Sequence, residues 1–409
     1  MRGWVRSAIA VVSAAGLTAL AMAGAVPSQA APKSITIWAD APHAAVLSQL
    51  LANGYQGVKV DVVTKDLAAI RDQVGKEPLA TAPDIIWGDQ AWSGDLALAK
   101  TIVPVALSAA RTKQFPKNVL SGYNWSGKGY GLPVQVSNVA MITNVELVPK
   151  QPTTFSELTA MAAKLKKSGK GKKGFAVGQG PNSDGYSLYP LFSGLGGFFF
   201  GKGADGNWDP SVVGLSDPTF LKNSKQIDQW NASGLINSAM TPDDARKAFA
   251  NGKAPFWMAG PEDMATLKGL TFVYRITSVP APVSGVKASP LLRVQGFNIT
   301  SYAYQHGALG ISRKLVTRYL AAAGRQLALA GASGLIPANI AAEKQVAERR
   351  LQAIAQAGVD GVAIPNILQQ QAVWPEYGAA WATSTSGADA TKAKKAFEAA
   401  SGNISTAIN

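Results

Sequence analysis

Two tracts, far apart in the chain, set indoles among carboxamides and carboxylates: Ala82-Pro83-Asp84-Ile85-Ile86-Trp87-Gly88-Asp89-Gln90-Ala91-Trp92 and Ile364-Pro365-Asn366-Ile367-Leu368-Gln369-Gln370-Gln371-Ala372-Val373-Trp374. An indole offers a broad apolar face and one N–H donor, and is normally a core residue. Beside Gln, Asn and Asp, that face suits a ligand with C–H surfaces and many hydroxyls, which describes a sugar. Trp87, Asp89, Trp92 and Trp374 are therefore the first candidates for ligand contact. Each tryptophan has a rival reading as packing, Trp87 because it ends a strand-like run and Trp374 because it opens a helix-like one.

The chain carries little catalytic equipment. It has two histidines, His43 and His306, and no cysteine. That excludes thiol catalysis and thiolate metal sites and argues against a transition metal, so no metal and no cofactor are expected. His306, between Gln305 and Gly307 with no acid at ligand spacing, reads as a surface residue. No nucleophile elbow, Walker loop or dinucleotide fingerprint precedes a helix in the right place. Gly194-Leu195-Gly196-Gly197-Phe198 lacks the required spacing and reads as a loop among aromatics.

The formal charge of +14 raises a nucleic-acid reading. Yet the basic residues are dispersed, apart from Lys164, Lys166, Lys167, Lys170, Lys172 and Lys173. That cluster falls where a helix runs into a Gly-Ser turn, and cations there favourably oppose the helix dipole. Contact with an anionic envelope surface is its alternative use; no nucleic-acid partner is expected. At the start, Arg2 and Arg6 precede an apolar run over 8–26, and Ser28-Gln29-Ala30 supplies small residues for cleavage after Ala30. Residues 1–30 thus read as a signal peptide, with a membrane anchor as the rival reading. The protein is expected to be exported, as an extracellular, cell-surface-associated or periplasmic protein, with no cysteine to carry a lipid.

Strands and helices must hold the candidate residues in place. Residues 34–38, 58–63 and 84–87 read as strands, with helices over 44–52 and 66–74 between them. That alternation argues for an α/β layer with a mainly parallel sheet. Ligands of such sheets sit beyond the carboxyl ends of the strands, where Trp38-Ala39-Asp40 and Trp87-Gly88-Asp89 fall. Thr154-Phe155-Ser156-Glu157 has capping-box spacing before a helix over 155–167, and Thr241-Pro242-Asp243-Asp244 opens another. Extended runs are expected over 134–144 and 292–300, and helices over 313–330, 339–357, 374–383 and 390–401.

With these elements in order, the chain resembles the extracellular solute-binding proteins of ATP-binding-cassette importers, of the maltose/maltodextrin type. The matching pieces run along nearly the whole sequence. They are Ile35-Thr36-Ile37-Trp38, Pro83-Asp84-Ile85-Ile86-Trp87, Gly127-Lys128 through Leu132-Pro133, and the VAMITN run at 139–144. Thr153-Thr154-Phe155-Ser156-Glu157-Leu158, Gly194-Leu195-Gly196-Gly197-Phe198 and Ala248-Phe249-Ala250-Asn251-Gly252-Lys253 follow. Ala259-Gly260-Pro261 and Ile364-Pro365-Asn366-Ile367 with Trp374 close the series.

The resemblance implies a two-lobed periplasmic-binding-protein-like fold, each lobe a mainly parallel sheet flanked by helices, joined by a hinge. Lobe one would hold 31–135 plus 283–333 and lobe two 136–282 plus 334–409, with crossings near 135–138, 282–296 and 331–337. It makes Trp374 the aromatic that stacks on a sugar ring, and Asp184 and Tyr186 the acid and aromatic of the second lobe. Asp40 and His43 would lie on the first-lobe loop that supplies a polar residue and a cation, and Trp92 at the pocket edge. The sequence departs from the pattern at Ser137, where the family has an acid, at Glu262, where it has an aromatic, and at Ala91, where the family has an acid, unless a local shift lets Asp89 take that place.

The implied function is capture of a maltodextrin-like oligosaccharide in the inter-lobe cleft, by a monomer, for delivery to the membrane permease subunits of the importer. The chain would not be an enzyme. Two alternatives keep the fold: a non-sugar or anionic solute, or a glycoside hydrolase with Asp184 and Glu262 as its facing carboxylates.

Overall fold

The structure, a computed structural model, describes residue 32, residues 34–179 and residues 185–409. The signal-peptide reading over 1–30 and the candidate Asp184 lie outside the described residues.

The opening strand, Ser34–Ala39, alternates β-branched and polar residues and pairs in parallel with Lys59–Thr64 and Ile85–Asp89. Successive side chains of a strand point to opposite faces. Accordingly Ile35, Ile37, Ile85 and Trp87 enter one core, while Trp38, Ile86 and Trp92 enter another on the reverse of the sheet.

The ten-residue strand Leu291–Thr300 runs antiparallel between Ile85–Asp89 and Gly131–Ser137, and Ile336–Pro337 completes the edge against Gly131–Ser137. The sheet is therefore mixed, where strand–helix alternation predicts a mainly parallel one. The return of the chain from the second lobe supplies the antiparallel strands. The second lobe holds a small sheet in which Ala140–Asn144 lies antiparallel between Phe256–Ala259 and Tyr274–Thr277.

Helices bury the remaining apolar residues. Phe155–Lys167 and Pro242–Ala250 both begin with the reciprocal capping box expected from their sequences. The lysines of the first helix stand in its last turn, where Lys166 Nζ donates to the Ser233 carbonyl at 2.7 Å. Gly185–Gly194, Gln370–Ser384 and Ala393–Ile408 contribute Phe192, Tyr377 and Phe397 to the second-lobe core. Phe192 meets the Tyr377 ring edge-on at 5.0 Å. The expected helix over 313–330 is broken into Leu309–Lys314, a wide π-type turn at Leu315–Leu320 and Ala323–Ser333. That over 339–357 is two helices, Ile340–Glu343 and Arg349–Ala357.

Strand membership locates the crossings. Gly131–Ser137 belongs to the large sheet and Ala140–Asn144 to the small one, so the chain crosses at Asn138, whose buried amide donates to the Ile354 carbonyl at 2.8 Å. The second crossing lies between Thr277 and Leu291. Ile336–Pro337 still pairs with the large sheet, and Asn339 caps the next helix while donating to the Ala321 carbonyl. The strands of the large sheet thus reach as far as Ser137 and Pro337.

His306 is not a bystander. Its Nδ1 meets Asp84 Oδ1 at 2.8 Å and its Nε2 meets the Leu79 carbonyl at 2.7 Å. Buried Asp84 also accepts the Thr36 N–H at 2.8 Å. Burial pulls the His306 pKa down, but the hydrogen bonds to Asp84 and Leu79 and the Asp84 charge outweigh it, leaving the pKa above its usual 6.5. A raised folded-state value means that protonation stabilises the fold below about pH 6.5 and that this contribution fades as pH rises through the folded pKa. Thermal unfolding between pH 5.5 and 8 should show the native protein losing its advantage over His306→Gln on the alkaline side. Parallel curves for the two proteins would refute the pairing.

Candidate ligand-binding cleft

The large sheet ends in a set of side chains that meet residues of the second lobe around a cavity of about 590 Å³, within the usual size of a small-ligand site. From the first lobe come Asp89, Ala91, Trp92, Ser137, Arg293 and Gln295; from the second, Tyr186, Glu262, Gln370, Gln371 and Trp374. Six of the expected site residues are therefore brought together: Asp89, Trp92, Ser137, Tyr186, Glu262 and Trp374.

Asp89 closes its strand and caps the following turn, accepting the Ala91 N–H at 3.0 Å. Its other oxygen accepts from Arg293 Nε at 2.5 Å. The carboxylate is buried while the Arg293 side chain is half-exposed. The Asp89 charge raises the Arg293 pKa further, against the opposing effect of burial. Trp92 lies across Gly88: a Cβ there would stand 2.6 Å from the indole ring, so only glycine lets the ring pack flat on the strand.

Tyr186, on the first turn of Gly185–Gly194, shares its hydroxyl between the carbonyls of Ser137, at 2.9 Å, and Leu291, at 3.2 Å. Both carbonyls stand at the ends of strands that cross between the lobes, so this ring faces the cleft with its hydroxyl committed. Trp374 is half-buried, held edge-on against Phe199 at 5.3 Å. Glu262 is exposed on the turn Pro261–Asp263, where its neighbour Asp263 pairs with Arg246 at 2.9 Å.

Asp40, His43 and Trp87 do not line the cavity; they stand behind it. Trp87 is fully buried, since strand alternation puts it on the face of Ile85, and it packs edge-on against Phe297 at 5.1 Å. His43 is buried and stacked on Trp87 with ring centres 3.8 Å apart. Asp40 caps the helix Ala41–Leu50 and holds His43 Nδ1.

The cleft also contains residues that sequence reasoning missed. Arg293 and Gln295 were hidden within an extended run, where the signal was a charge and an amide in an otherwise apolar segment. Gln370 belongs to the second indole tract. It is buried, and neither atom of its carboxamide has a partner among the described residues. Such a group ordinarily finds one. Among the described residues no three metal-ligating side chains come together, and no helix is long and apolar enough to cross a membrane.

The comparisons with known proteins agree with this architecture. The maltodextrin-binding protein MdxE of Bacillus subtilis is 24% identical over 305 residues, 73% of this chain and 71% of that one. The maltooligosaccharide ABC transporter solute-binding lipoprotein of Streptococcus pneumoniae is 24% identical over 355 residues, covering 84% and 81%. An extracellular solute-binding protein from Staphylococcus aureus, solved in complex with maltose, superposes with a TM-score of 0.82 at 23% identity, over 93% of this chain and 99% of that one. The family model of the bacterial extracellular solute-binding proteins matches residues 51–355. The chain belongs to that family.

Proposed function

We propose that this protein captures an oligosaccharide of the maltodextrin type in the cleft and presents it to the membrane permease subunits of an ABC importer, acting outside the cytoplasm. The observation that carries this reading is the lining itself. Trp92, Tyr186 and Trp374 offer aromatic faces for the C–H surfaces of sugar rings. Glu262, Arg293, Gln295 and Gln370 offer hydroxyl partners of both polarities around the same cavity. The names of the Bacillus and Streptococcus relatives support the substrate class.

An anionic solute fits less well. Arg293 is already paired with Asp89, and the described lining adds a second carboxylate, that of Glu262, beside this pair. Hydrolysis is disfavoured because Asp89, the other carboxylate of the described lining, is engaged by Arg293 and by a backbone N–H. We therefore read the chain as a non-enzymatic binding protein.

Calorimetric titration with maltose, maltotetraose and a galactooligosaccharide tests the proposal. Saturable binding of the maltodextrins with no released glucose is expected; failure of all maltodextrins to bind would refute it. Trp374→Ala should weaken binding by about 1–2 kcal/mol, the scale of an aromatic contact. Gly88→Ala should tilt the Trp92 indole and weaken the same ligands while unfolding within a few degrees of the native protein. Unchanged affinity in Gly88→Ala would place the Trp92 ring outside the recognition surface.

A further inference from the structure

The residues behind the cleft form a connected polar chain that ends in it. Asp40 Oδ1 holds His43 Nδ1. His43 Nε2 meets Gln135 Oε1 at 3.1 Å, and Ser333 Oγ donates to that same oxygen at 2.7 Å. With its oxygen accepting from Ser333, Gln135 turns its amide nitrogen the other way and donates to Gln295 Oε1 at 2.7 Å. Gln135 and Gln295 face each other across paired strands, and both are buried, Gln135 at 1% and Gln295 at 8% exposure. The stacking of His43 on Trp87 fixes the imidazole plane at the head of the chain.

The consequence is directional. The Gln295 oxygen is used on the protein side, and its amide nitrogen has no partner among the described residues while the side chain lines the cavity. An unconstrained glutamine can offer a ligand either its donor end or its acceptor end; this one is held to one orientation.

We propose that Gln295 is a specificity-determining residue that presents N–H donors to a ligand oxygen, with the buried chain Asp40–His43–Gln135 as its positioning element. The assignment rests on the cleft being the ligand site. A ligand offering a donor at that point would leave two donors facing each other, so the cleft rejects it by an unpaired buried group. The chain also gives a use to the three first-lobe residues that the cavity itself excludes.

Gln135→Glu is the discriminating variant. The new carboxylate still accepts from Ser333 and remains opposite His43, but it has no donor for Gln295, whose amide must turn over and show its carbonyl to the cleft. With maltotetraose as the probe, Gln135→Glu and Gln295→Leu should each bind about tenfold more weakly, or worse, the scale of one unsatisfied hydrogen bond. The double variant should bind no more weakly than Gln295→Leu alone, because Gln135 acts through Gln295. Additive losses, or native affinity in both single variants, would overturn the proposal. Side-chain amide hydrogen exchange, followed by NMR on the ligand-free native protein, decides the orientation independently of any sugar. A protected Gln135 amide and a fast-exchanging Gln295 amide are expected; the reverse pattern would overturn the assignment. If the native protein binds no maltodextrin, the cleft reading falls, and the exchange measurement still judges the amide orientation.

Discussion

The geometry of the site depends on one constraint, an interruption in the alternation of the strand Leu291–Thr300. Leu292 and Val294 point into the first core, and so do Phe297 and Ile299. The parity changes between Gln295 and Gly296, where the pairing with Gly131–Ser137 slips in register. A bulge of this kind re-aims the side chains before it. Without it, a strand that buries Phe297 beside Trp87 could not also send Arg293 and Gln295 to the cleft. Gly296 makes the bulge possible: a Cβ there would lie 2.0 Å from the Leu132 carbonyl oxygen. Two neighbouring strands then receive the re-aimed side chains, Asp89 on one side and Gln135 on the other.

That arrangement also sets the polarity of the cleft. The Asp89–Arg293 pair joins a buried carboxylate to a guanidinium half in solvent. The attraction in such a pair is offset by desolvation of the buried partner. Its larger effect is positional. With Nε engaged by Asp89, the guanidinium that lines the cavity carries a charge already paired, so it is no open anion trap. Hydroxyl-rich guests meet a surface of prearranged donors and acceptors with aromatic floors. An anion would meet a cation already neutralised.

Much of this was legible in the sequence, and the failures have physical causes. The capping boxes at Thr154 and Thr241 were readable because each depends on local spacing alone. Trp374 and Trp92, which line the cavity, stood out because indoles among carboxamides are unusual in a core. Trp87 was misplaced because Ile85, Ile86 and Trp87 form an unbroken apolar run buried on both faces, and such a run carries no period to tell core from cleft. His43 was assigned to the ligand since nothing local shows that its partners are Gln135, ninety-two residues away, and the ring of Trp87. Arg293 and Gln295 were missed because a bulge cannot be read from one strand without its neighbours. The mixed sheet was missed for the same reason: strand direction depends on where the chain re-enters, which local alternation does not encode.

The second indole tract shows how the two lobes share a single segment. Its beginning is tied to the first lobe by polar contacts. Gln90 Nε2 donates to the Ile364 carbonyl at 3.1 Å, and Asn366 Nδ2 donates to the carbonyls of Gly122, at 3.1 Å, and Asn124, at 2.9 Å. Gly94 permits this closeness, since a Cβ there would come within 1.9 Å of the Asn366 oxygen. The apolar side chains of the same segment, Ile364 and Ile367, are buried with the second-lobe core, as are Val373 and Tyr377 after it. Polar contacts in one direction and apolar burial in the other hold the segment at both ends of its short span. Trp374 follows one turn into the helix Gln370–Ser384, so its ring is positioned from both lobes at once. A hinge closes on a ligand only through the ligand's preference for the closed state. On the proposed function, an aromatic surface anchored from both lobes converts stacking on a sugar into that preference.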